Sequence, residues 1–354
     1  MSSLMSLVPE RVKRLSVYSS ARREAHSGEI WLNANENPSS PGLDSASFNR
    51  YPEPQPVELL EAYAAYAGAR PEQLLVTRGI DEGIELLIRT FCEPGRDDII
   101  ITPPTYGMYE ISAQSLGVGG RELPLDEGWE LDLELFASQD YEQVGVIFIC
   151  SPNNPTGKVV SRKDLERLMR LVDGSSVVAV DEAYIEYCPG ESALDLLDAY
   201  ENLVILRTLS KGFGLAGLRC GFVVGDEALI AVMNKVVAPY PIPTPVVELA
   251  SQALEGGGIA AMKDGITATN AAAIQVVSVL SKLPDIEVHY SGQANFLLLE
   301  LVDADQLMST LSSQGIIIRD RSSQFQKGML RVTVGNESEN KALIEAVAAF
   351  RRKA

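Results

Sequence analysis

The chain has 354 residues, and its 48 acidic and 30 basic residues give a formal net charge of −18. This charge repels nucleic acid and anionic membrane surfaces, so polyanions are excluded as preferred partners. Four separated cysteines and only two histidines predict a reduced, cytoplasmic protein without a histidine-based metal site, and the length predicts two domains.

The first thirty residues are predicted to form an N-terminal arm that accompanies the small domain. The arm contains a short charged helix around Pro9–Leu15 and a polar stretch with Tyr18, and it lacks the apolar core of a signal peptide. The motifs WLNANENP and YPEPQP, at residues 31–38 and 51–56, are typical of loops. A helix over Val57–Ala67 follows and ends at a glycine.

The next segment could bind an anion. A strand over Gln73–Thr77 leads through Gly79 into a helix over Ile80–Phe91. The helix start leaves backbone N–H groups unpaired, and Asp81 lies in the first helical turn. An ordinary turn between a strand and a helix has the same pattern, so this segment alone leaves both interpretations open.

Four further apolar runs each lead into polar residues. They predict strands at Asp98–Thr102, Gly145–Cys150, Val177–Val180 and Leu203–Leu206, and helical patterns separate the later ones. This alternation predicts a parallel α/β sheet with right-handed crossovers, in which ligands bind beyond the carboxyl ends of the strands. We therefore expect the residues that follow these strands to form one site: Tyr106, Asn154, Asp181, Tyr184 and Lys211.

Lys211 is the residue around which this site is predicted to be organised. It lies where a buried strand gives way to a turn that contains Gly212, Gly214 and Gly217. Partial burial in such a place lowers the pKa of an amine and makes it nucleophilic towards a carbonyl. A single lysine after a strand is more often a surface group, so this prediction depends on the residues around it.

The last third of the chain has a different pattern. A proline-rich segment at residues 238–245 precedes long helical patterns from Val246 onwards and over Gly265–Leu283. Short strands and helices follow, with strands predicted at Val288–Tyr290, Asn295–Leu301, Gly315–Arg319 and Met329–Gly335. We therefore predict a large domain over residues 31–260 and a smaller α+β domain over residues 261–354. No stretch is long and apolar enough to span a membrane.

A reactive lysine near an acid is what the aldehyde cofactor pyridoxal phosphate requires. The aldehyde forms an imine with the amine, and a carboxylate paired with the ring nitrogen keeps the ring protonated and electron-withdrawing. The cofactor phosphate requires a helix N-terminus, a hydroxyl and an arginine. The Gly79–Asp81 turn, Ser210 and Arg219 provide these groups.

Several motifs together resemble those of the fold-type I pyridoxal-phosphate aminotransferases. The motifs are NANENP, YPEPQ, TRGIDEGIELLIRTF, PPTYGMY, SPNNPTG, DEAYIEYCP and RTLSKGFGLAGLRCGF. SPNNPTG and the spacing from Lys211 to Arg219 are specific for the wider family, whereas RYPEPQ with DEAYIEYCP is similar to its histidinol-phosphate branch. The resemblance runs from Val17 to the C-terminus. It implies a large domain with a mostly parallel central sheet and a smaller α+β domain.

The resemblance implies roles for individual residues. Lys211 would bond to the cofactor and move the substrate proton, and Asp181 would pair with the ring nitrogen. Tyr184 and Asn154 would hydrogen-bond to the ring oxygen, and Tyr106 would stack on the ring. The phosphate would be held by Gly79, Ile80, Asp81, Ser210 and Arg219, and by Tyr51 from the neighbouring subunit of a homodimer.

The resemblance also implies a substrate. Arg331, in LRVTVG, would hold a substrate carboxylate or the phosphate of histidinol phosphate, together with Arg319, Tyr18 and Asn154. The implied reaction transfers the amino group of L-histidinol phosphate to 2-oxoglutarate, giving imidazole-acetol phosphate and L-glutamate, a step of histidine synthesis. Gly212 departs from the family pattern, in which alanine is common, but the departure removes no catalytic group.

Other functions fit parts of the sequence. A lyase that decarboxylates threonine phosphate or an aromatic-amino-acid aminotransferase would use the same scaffold, and both alternatives stay open. Gly212, Gly214 and Gly217 match a dinucleotide fingerprint, but the next strand ends at Asp226, too early for the acid of that motif. A transcription regulator with this fold would need a DNA-binding domain, and no helix-turn-helix pattern precedes Trp31.

Overall fold

The computed structural model describes residues 3–18, 30–40 and 48–352. Within these residues the strands form a seven-stranded sheet and a four-stranded sheet. The strands of the large sheet are β1 (Leu74–Thr77), β2 (Asp98–Ile101), β3 (Gly119–Glu122), β4 (Val144–Cys150), β5 (Val177–Asp181), β6 (Leu203–Thr208) and β7 (Gly221–Gly225). Those of the small sheet are β8 (Glu287–His289), β9 (Phe296–Glu300), β10 (Arg319–Asp320) and β11 (Met329–Thr333).

Helices connect and cover the strands. The α-helices are α1 (Glu10–Lys13), α2 (Val57–Ala67), α3 (Gly79–Phe91), α4 (Met108–Ser115), α5 (Leu133–Ala137), α6 (Arg162–Val172), α7 (Glu227–Met233), α8 (Thr244–Leu254), α9 (Gly256–Leu280), α10 (Ala304–Ser313), α11 (Ser322–Phe325) and α12 (Glu337–Arg351). None of the helices in the described ranges combines the length and the apolar composition that crossing a membrane requires.

The large sheet has the strand order β1-β7-β6-β5-β4-β2-β3. Adjacent strands from β6 to β3 pair in parallel, and β7 runs antiparallel to both of its neighbours. The prediction of a mostly parallel sheet is therefore confirmed. Because β2, β4, β5 and β6 run in one direction, their carboxyl ends lie at the same edge of the sheet, where a ligand site is expected.

Both faces of the large sheet are covered. On one face, α3 buries Ile84, Leu87 and Phe91, which recur at helical spacing, in the same core cluster as Ala179 of β5. On the other face, Val180 of β5 packs in a second cluster with residues of α2, α6 and α8. A sheet covered on both faces explains why its strands are almost continuously apolar.

The small sheet is antiparallel and has the order β10-β11-β9-β8. Leu297 of β9 and Leu330 of β11 pack in a third core cluster with residues of α9, α10 and α12. The boundary predicted at residue 260 falls inside α9, whose Val276 belongs to this third cluster. The strand predicted at Gly315–Arg319 is instead the two-residue strand β10.

The described part of the N-terminal segment packs against the large sheet. Leu4 and Val12 are buried in the same cluster as α3. Arg11 donates hydrogen bonds from Nη2 to the carbonyl oxygens of Arg89 (2.8 Å) and Cys92 (2.6 Å), which the end of α3 leaves without helical partners. The sequence prediction grouped the first thirty residues with the small domain. Their first helix instead lies beside α3, because its apolar side completes that core.

Candidate active site

A pocket lies where the carboxyl ends of β4, β5 and β6 meet residues of the small sheet. The predicted site residues that line it are Ile80, Asp81, Tyr106, Asn154, Asp181, Tyr184, Ser210, Lys211, Arg219 and Arg331. Cys150, Ala183, Thr208 and Arg321, which were not predicted, also line it. The parallel strands therefore bring residues that are far apart in sequence to one edge of the sheet, as their positions at strand ends predict.

Asp181 is the last residue of β5 and is buried, with 2% of its surface exposed. Its Oδ2 accepts a hydrogen bond from the Tyr109 hydroxyl (2.7 Å), and its Oδ1 accepts one from the backbone N–H of Ala183 (3.0 Å). Burial raises the pKa of Asp181 to about 6, and the two hydrogen bonds oppose this rise. A buried carboxylate with two donors is suited to pairing with a cation in the pocket.

Lys211 follows β6 in a tight turn, which is closed by a hydrogen bond from the N–H of Gly214 to the carbonyl of Lys211 (3.0 Å). Its Nζ lies 5.6 Å from the centre of the Tyr184 ring, and the residue remains exposed. Partial removal from water and then repulsion by Arg331 lower the pKa of Lys211, although Asp181 opposes this effect. A lowered pKa increases the fraction of neutral amine, which is the nucleophilic form.

Arg219, Ser210 and the start of α3 form a polar cup. The Nη2 atom of Arg219 is 3.0 Å from Oδ2 of Asp81, and its Nη1 is 3.4 Å from Oγ of Ser210. Gly79 has a φ of 76°, and a Cβ at this position would lie 2.7 Å from Nη2 of Arg219. Glycine at position 79 therefore allows the guanidinium to approach the helix start. A guanidinium, a hydroxyl and a helix N-terminus together suit a phosphate group.

Tyr106 lines the pocket from the loop that precedes α4. Its hydroxyl donates a hydrogen bond to Oδ1 of Asp81 (3.0 Å), and its ring stands edge-on to that of Tyr109, 5.6 Å away. Burial and the Asp81 carboxylate raise the pKa of Tyr106, so its hydroxyl stays protonated and acts as a donor. Asp81 therefore holds both Tyr106 and Arg219 at the pocket wall.

Arginines from the small sheet reach the same pocket. Arg331 on β11 donates a hydrogen bond from Nη1 to Oδ1 of Asn154, and its guanidinium carbon lies 5.5 Å from the centre of the Phe296 ring. Arg319 on β10 is the strand partner of Arg331. Arg321 lines the pocket, and its buried Nε has no hydrogen-bond partner among the described residues. Burial lowers the pKa values of Arg321 and Arg331. Repulsion by Arg331 adds to the effect on Arg321, and repulsion by Arg319 adds to the effect on both, so an anion bound between them would be stabilised.

Four predicted site residues do not line the pocket of their own chain. Gly79 lies behind Arg219, at the start of α3. Tyr18 is 65% exposed. Tyr51 is half-exposed and stacks on Tyr240, with ring centres 4.6 Å apart. Arg319 is exposed on its short strand. The roles expected for these residues stay predictions.

Sequence reasoning missed two residues that matter here. Tyr109 lies within the motif PPTYGMY, one helical turn after Tyr106, and a search for a donor to Asp181 could have found it there. Arg321 lies two residues after Arg319, but β10 ends at Asp320, so strand alternation could not have assigned Arg321 to the pocket. For Tyr109 the signal was present, whereas for Arg321 it was not.

The chain matches the family model described as "Aminotransferase class I and II" over residues 18–347. The chain belongs to this aminotransferase family. It is 46% identical over 353 residues to the histidinol-phosphate aminotransferase of Pectobacterium carotovorum, and the match covers 99% of each protein. The similarity to the wider family that the motifs predicted is therefore confirmed over nearly the whole chain.

Solved structures agree on the fold of this aminotransferase. The histidinol-phosphate aminotransferase of Clostridium acetobutylicum superposes with a TM-score of 0.79 at 23% identity, covering 87% of this chain and 92% of that one. The L-threonine-O-3-phosphate decarboxylase of Porphyromonas gingivalis superposes with a TM-score of 0.73 at 23% identity, covering 86% and 91%. Because two enzymes with different reactions share this fold, the fold alone does not distinguish transamination from decarboxylation.

Pyridoxal 5′-phosphate is the cofactor that membership of this aminotransferase family indicates. The residues present fit it chemically. Lys211 provides an accessible amine with a lowered pKa, and Asp181 provides a buried carboxylate for a ring cation. The cup at Gly79, Ser210 and Arg219 provides donors for a phosphate, and a Cβ at position 79 would fill part of that cup.

Proposed function

We propose that this aminotransferase transfers the amino group of L-histidinol phosphate to 2-oxoglutarate, giving imidazole-acetol phosphate and L-glutamate. The observation that carries the proposal is that Lys211 and Asp181 share one pocket with Arg321 and Arg331. The first pair supports the cofactor chemistry, and the second pair binds an anionic substrate group. The 46% identity to a histidinol-phosphate aminotransferase over 99% of both proteins favours this substrate over the alternatives.

Bound pyridoxal phosphate supplies an electron-withdrawing ring that stabilises negative charge at the substrate Cα. Lys211 would hold the cofactor, and its Nζ would move the proton at the substrate Cα. The lowered pKa of Lys211 favours the neutral amine, which is the form that acts as a base. Asp181, kept in the pocket by Tyr109 and Ala183, pairs as an anion with the protonated ring nitrogen.

The remaining pocket residues hold and orient the cofactor. Tyr184 and Asn154 would provide hydrogen bonds for its ring oxygen, and Tyr106 would provide an aromatic surface for its ring. Burial raises the pKa of Tyr184, so this phenol remains a neutral donor. The phosphate is bound by the hydroxyl of Ser210, the guanidinium of Arg219 and the backbone of Gly79, Ile80 and Asp81.

The arginines of the small sheet select the substrate. Arg331 binds the substrate phosphate or, in the second half of the reaction, a carboxylate of 2-oxoglutarate, with Asn154 fixing its orientation. Arg321 adds a second guanidinium in the pocket, and Arg319 and Tyr18 are assigned supporting contacts to the substrate. A chain with a net charge of −18 attracts an anionic substrate only through such a local concentration of positive charge.

We infer a homodimer in which Tyr51 completes the site of the neighbouring subunit. Tyr51 is half-exposed and lies outside the pocket of its own chain, and the exposed apolar residues Leu32 and Val57 lie in the same loop and helix region. Exposed apolar surface of this kind is typical of interfaces. The free cysteines Cys92, Cys150, Cys188 and Cys220 support a reducing, cytoplasmic location.

An assay of purified protein with histidinol phosphate and 2-oxoglutarate tests the proposal, and glutamate is the expected product. Release of carbon dioxide from threonine phosphate, without glutamate formation, would instead support the decarboxylase alternative. Transfer from phenylalanine or tyrosine in the absence of transfer from histidinol phosphate would support the aromatic aminotransferase alternative.

The role of Lys211 has its own test. Lys211→Ala should abolish the visible absorption band that arises when the cofactor is bonded to the protein, because Lys211 is the only lysine among the described residues that line the pocket. Lys282→Ala, which removes an exposed lysine far along the chain, is the matched control and should retain the band. Retention of the band in Lys211→Ala would refute the assignment.

A further inference from the structure

Tyr109 is a buried phenol that the proposed reaction does not use directly. It lies on α4, and none of its surface is exposed. Its ring stacks on Phe148 of β4, with centres 4.8 Å apart and planes 5° from parallel. This packing fixes the ring, so its hydroxyl has little freedom to seek another partner.

The hydroxyl of Tyr109 is aimed at Asp181, and the distance from its oxygen to Oδ2 is 2.7 Å. Burial and the neighbouring carboxylate raise the pKa of Tyr109, so the phenol stays protonated and donates this hydrogen bond. A hydrogen bond from a neutral donor to a carboxylate stabilises the charged form of the acid. The second oxygen of Asp181 is occupied by the N–H of Ala183 (3.0 Å). Each carboxylate oxygen therefore has one fixed donor.

We propose that Tyr109 is a positioning residue that holds the Asp181 carboxylate in one orientation and in its anionic form, ready to pair with the cofactor ring. The inference rests on the proposed function only through the cofactor, because it concerns cofactor binding and requires no particular substrate. The other ionisable groups that act on Asp181 come from several elements around the pocket: Asp81, Tyr106, Cys150, Tyr184 and Lys211. Of these groups and Tyr109, only Tyr109 is hydrogen-bonded to the Asp181 side chain in the described residues.

Tyr109→Phe is the decisive variant, because it keeps the ring stacked on Phe148 and removes only the donor. Infrared titration of the cofactor-free protein reports the protonation of Asp181 through the acid carbonyl band that disappears in Asp181→Asn. The wild-type midpoint should lie near the pKa of about 6. In Tyr109→Phe the midpoint should rise by about one to two pH units, as loss of one hydrogen bond to a charged group predicts.

Cofactor affinity is a second measurement of the effect of Tyr109 on Asp181. Since the ring cation pairs with the anionic form of Asp181, Tyr109→Phe should bind the cofactor severalfold more weakly at neutral pH. The difference should close at alkaline pH, where Asp181 is ionised in both proteins. A purely structural defect would instead weaken binding equally at every pH.

Tyr63→Phe is the matched control. Tyr63 is also fully buried and stacks on Phe222, but its hydroxyl has no hydrogen-bond partner among the described residues. This variant should leave both the infrared midpoint and the pH dependence of cofactor affinity unchanged. A fluorinated tyrosine at position 109, which is a stronger donor, should move the midpoint to lower pH.

An unchanged midpoint in Tyr109→Phe, or a loss of cofactor affinity that does not depend on pH, would overturn the proposal. Both readings are independent of the amino donor. Failure to act on histidinol phosphate would therefore contradict the proposed substrate and leave the result for Tyr109 intact.

Discussion

Arg331 donates a hydrogen bond from its guanidinium to the side-chain carbonyl of Asn154, and this contact joins the two sheets across the pocket. Asn154 lies in the loop after β4 of the large sheet, whereas Arg331 lies on β11 of the small sheet. The guanidinium that is proposed to orient the substrate anion is therefore fixed to the loop that is proposed to contact the cofactor ring. In this proposal, one side chain couples the position of the substrate to that of the cofactor.

Arg331→Lys should retain the charge but lose the planar fork of donors. We expect kcat/KM for histidinol phosphate to fall about tenfold to 100-fold, which corresponds to ~1.5–3 kcal/mol of charge-assisted hydrogen bonding. Steady-state kinetics measures the effect. Arg170→Lys, an exposed arginine on α6, is the control and should change nothing. Equal kinetics in both variants would show that the fork of Arg331 does not contact the substrate.

Substitution of Arg321 or Arg319 by glutamine compares the contributions of the two arginines to substrate binding. Arg321 lines the pocket and has an unpartnered buried Nε, whereas Arg319 is exposed. We expect Arg321→Gln to raise KM for histidinol phosphate about tenfold, as loss of one charged contact worth ~1.4 kcal/mol predicts, and Arg319→Gln to have a smaller effect. A larger effect of Arg319→Gln than of Arg321→Gln would support the substrate contact that the family resemblance implies for Arg319.

Arg319 and Arg321 show which part of the site could not be predicted from the sequence. The resemblance to the family implied a role for Arg319, and the strand register places this residue opposite Arg331. Strand β10 has only two residues, however, and the chain turns at Arg321, which precedes α11. Where so short a strand ends depends on tertiary packing, and hydrophobic periodicity carries no information about it.

Other parts of the site were predictable for a physical reason. Apolar runs followed by polar residues predicted strands whose carboxyl ends carry Asn154, Asp181 and Lys211, and parallel pairing brings these ends together. The position of the N-terminal segment was not predictable in this way. An amphipathic helix such as α1 specifies that one side is buried, but it does not specify which core will cover that side.

Glu186 gives a prediction for the pH dependence of stability. It is buried with one carboxylate oxygen unpartnered, and the nearest guanidinium, that of Arg207, is already bonded to Glu182 at 2.6 Å. Burial raises the pKa of Glu186 from 4.5 to about 7. The folded protein therefore binds this proton more tightly than the unfolded chain does, and the protein loses stability as pH rises from 4.5 to about 7.

Glu186→Gln removes this pH-dependent penalty. We expect the free energy of unfolding of the variant, measured relative to that of wild type, to be about 3 kcal/mol higher at about pH 8 than at about pH 4. This value follows from the size of the pKa shift. Urea unfolding of the cofactor-free wild type and Glu186→Gln gives the free energy of unfolding of each protein at both pH values. The difference between the two proteins is then compared between the two pH values. A stability difference that is the same at both pH values would show that Glu186 does not titrate in this range.

The shared site of the proposed homodimer predicts complementation between two defective proteins. Tyr51→Ala removes the contact given to the neighbouring subunit, and Lys211→Ala removes the amine of the subunit that carries it. Each variant alone should be impaired at both of its sites. In a mixed dimer, the Lys211 of the first variant meets the Tyr51 of the second, so one of the two sites is complete. Random exchange of subunits should then restore about one quarter of the wild-type sites, because about half of the dimers are mixed.

Activity after mixing, measured with increasing time for subunit exchange, is the test. The control is Tyr51→Ala mixed with Asp181→Asn, which should recover to the same extent because Asp181 and Lys211 belong to one subunit's pocket. By contrast, a mixture of Lys211→Ala with Asp181→Asn should recover little activity. If Lys211 and Asp181 act within the same chain, every site in a mixed dimer lacks one of them, although Tyr51 is intact. Recovery in this last mixture, or none in the first, would contradict the proposed sharing of sites.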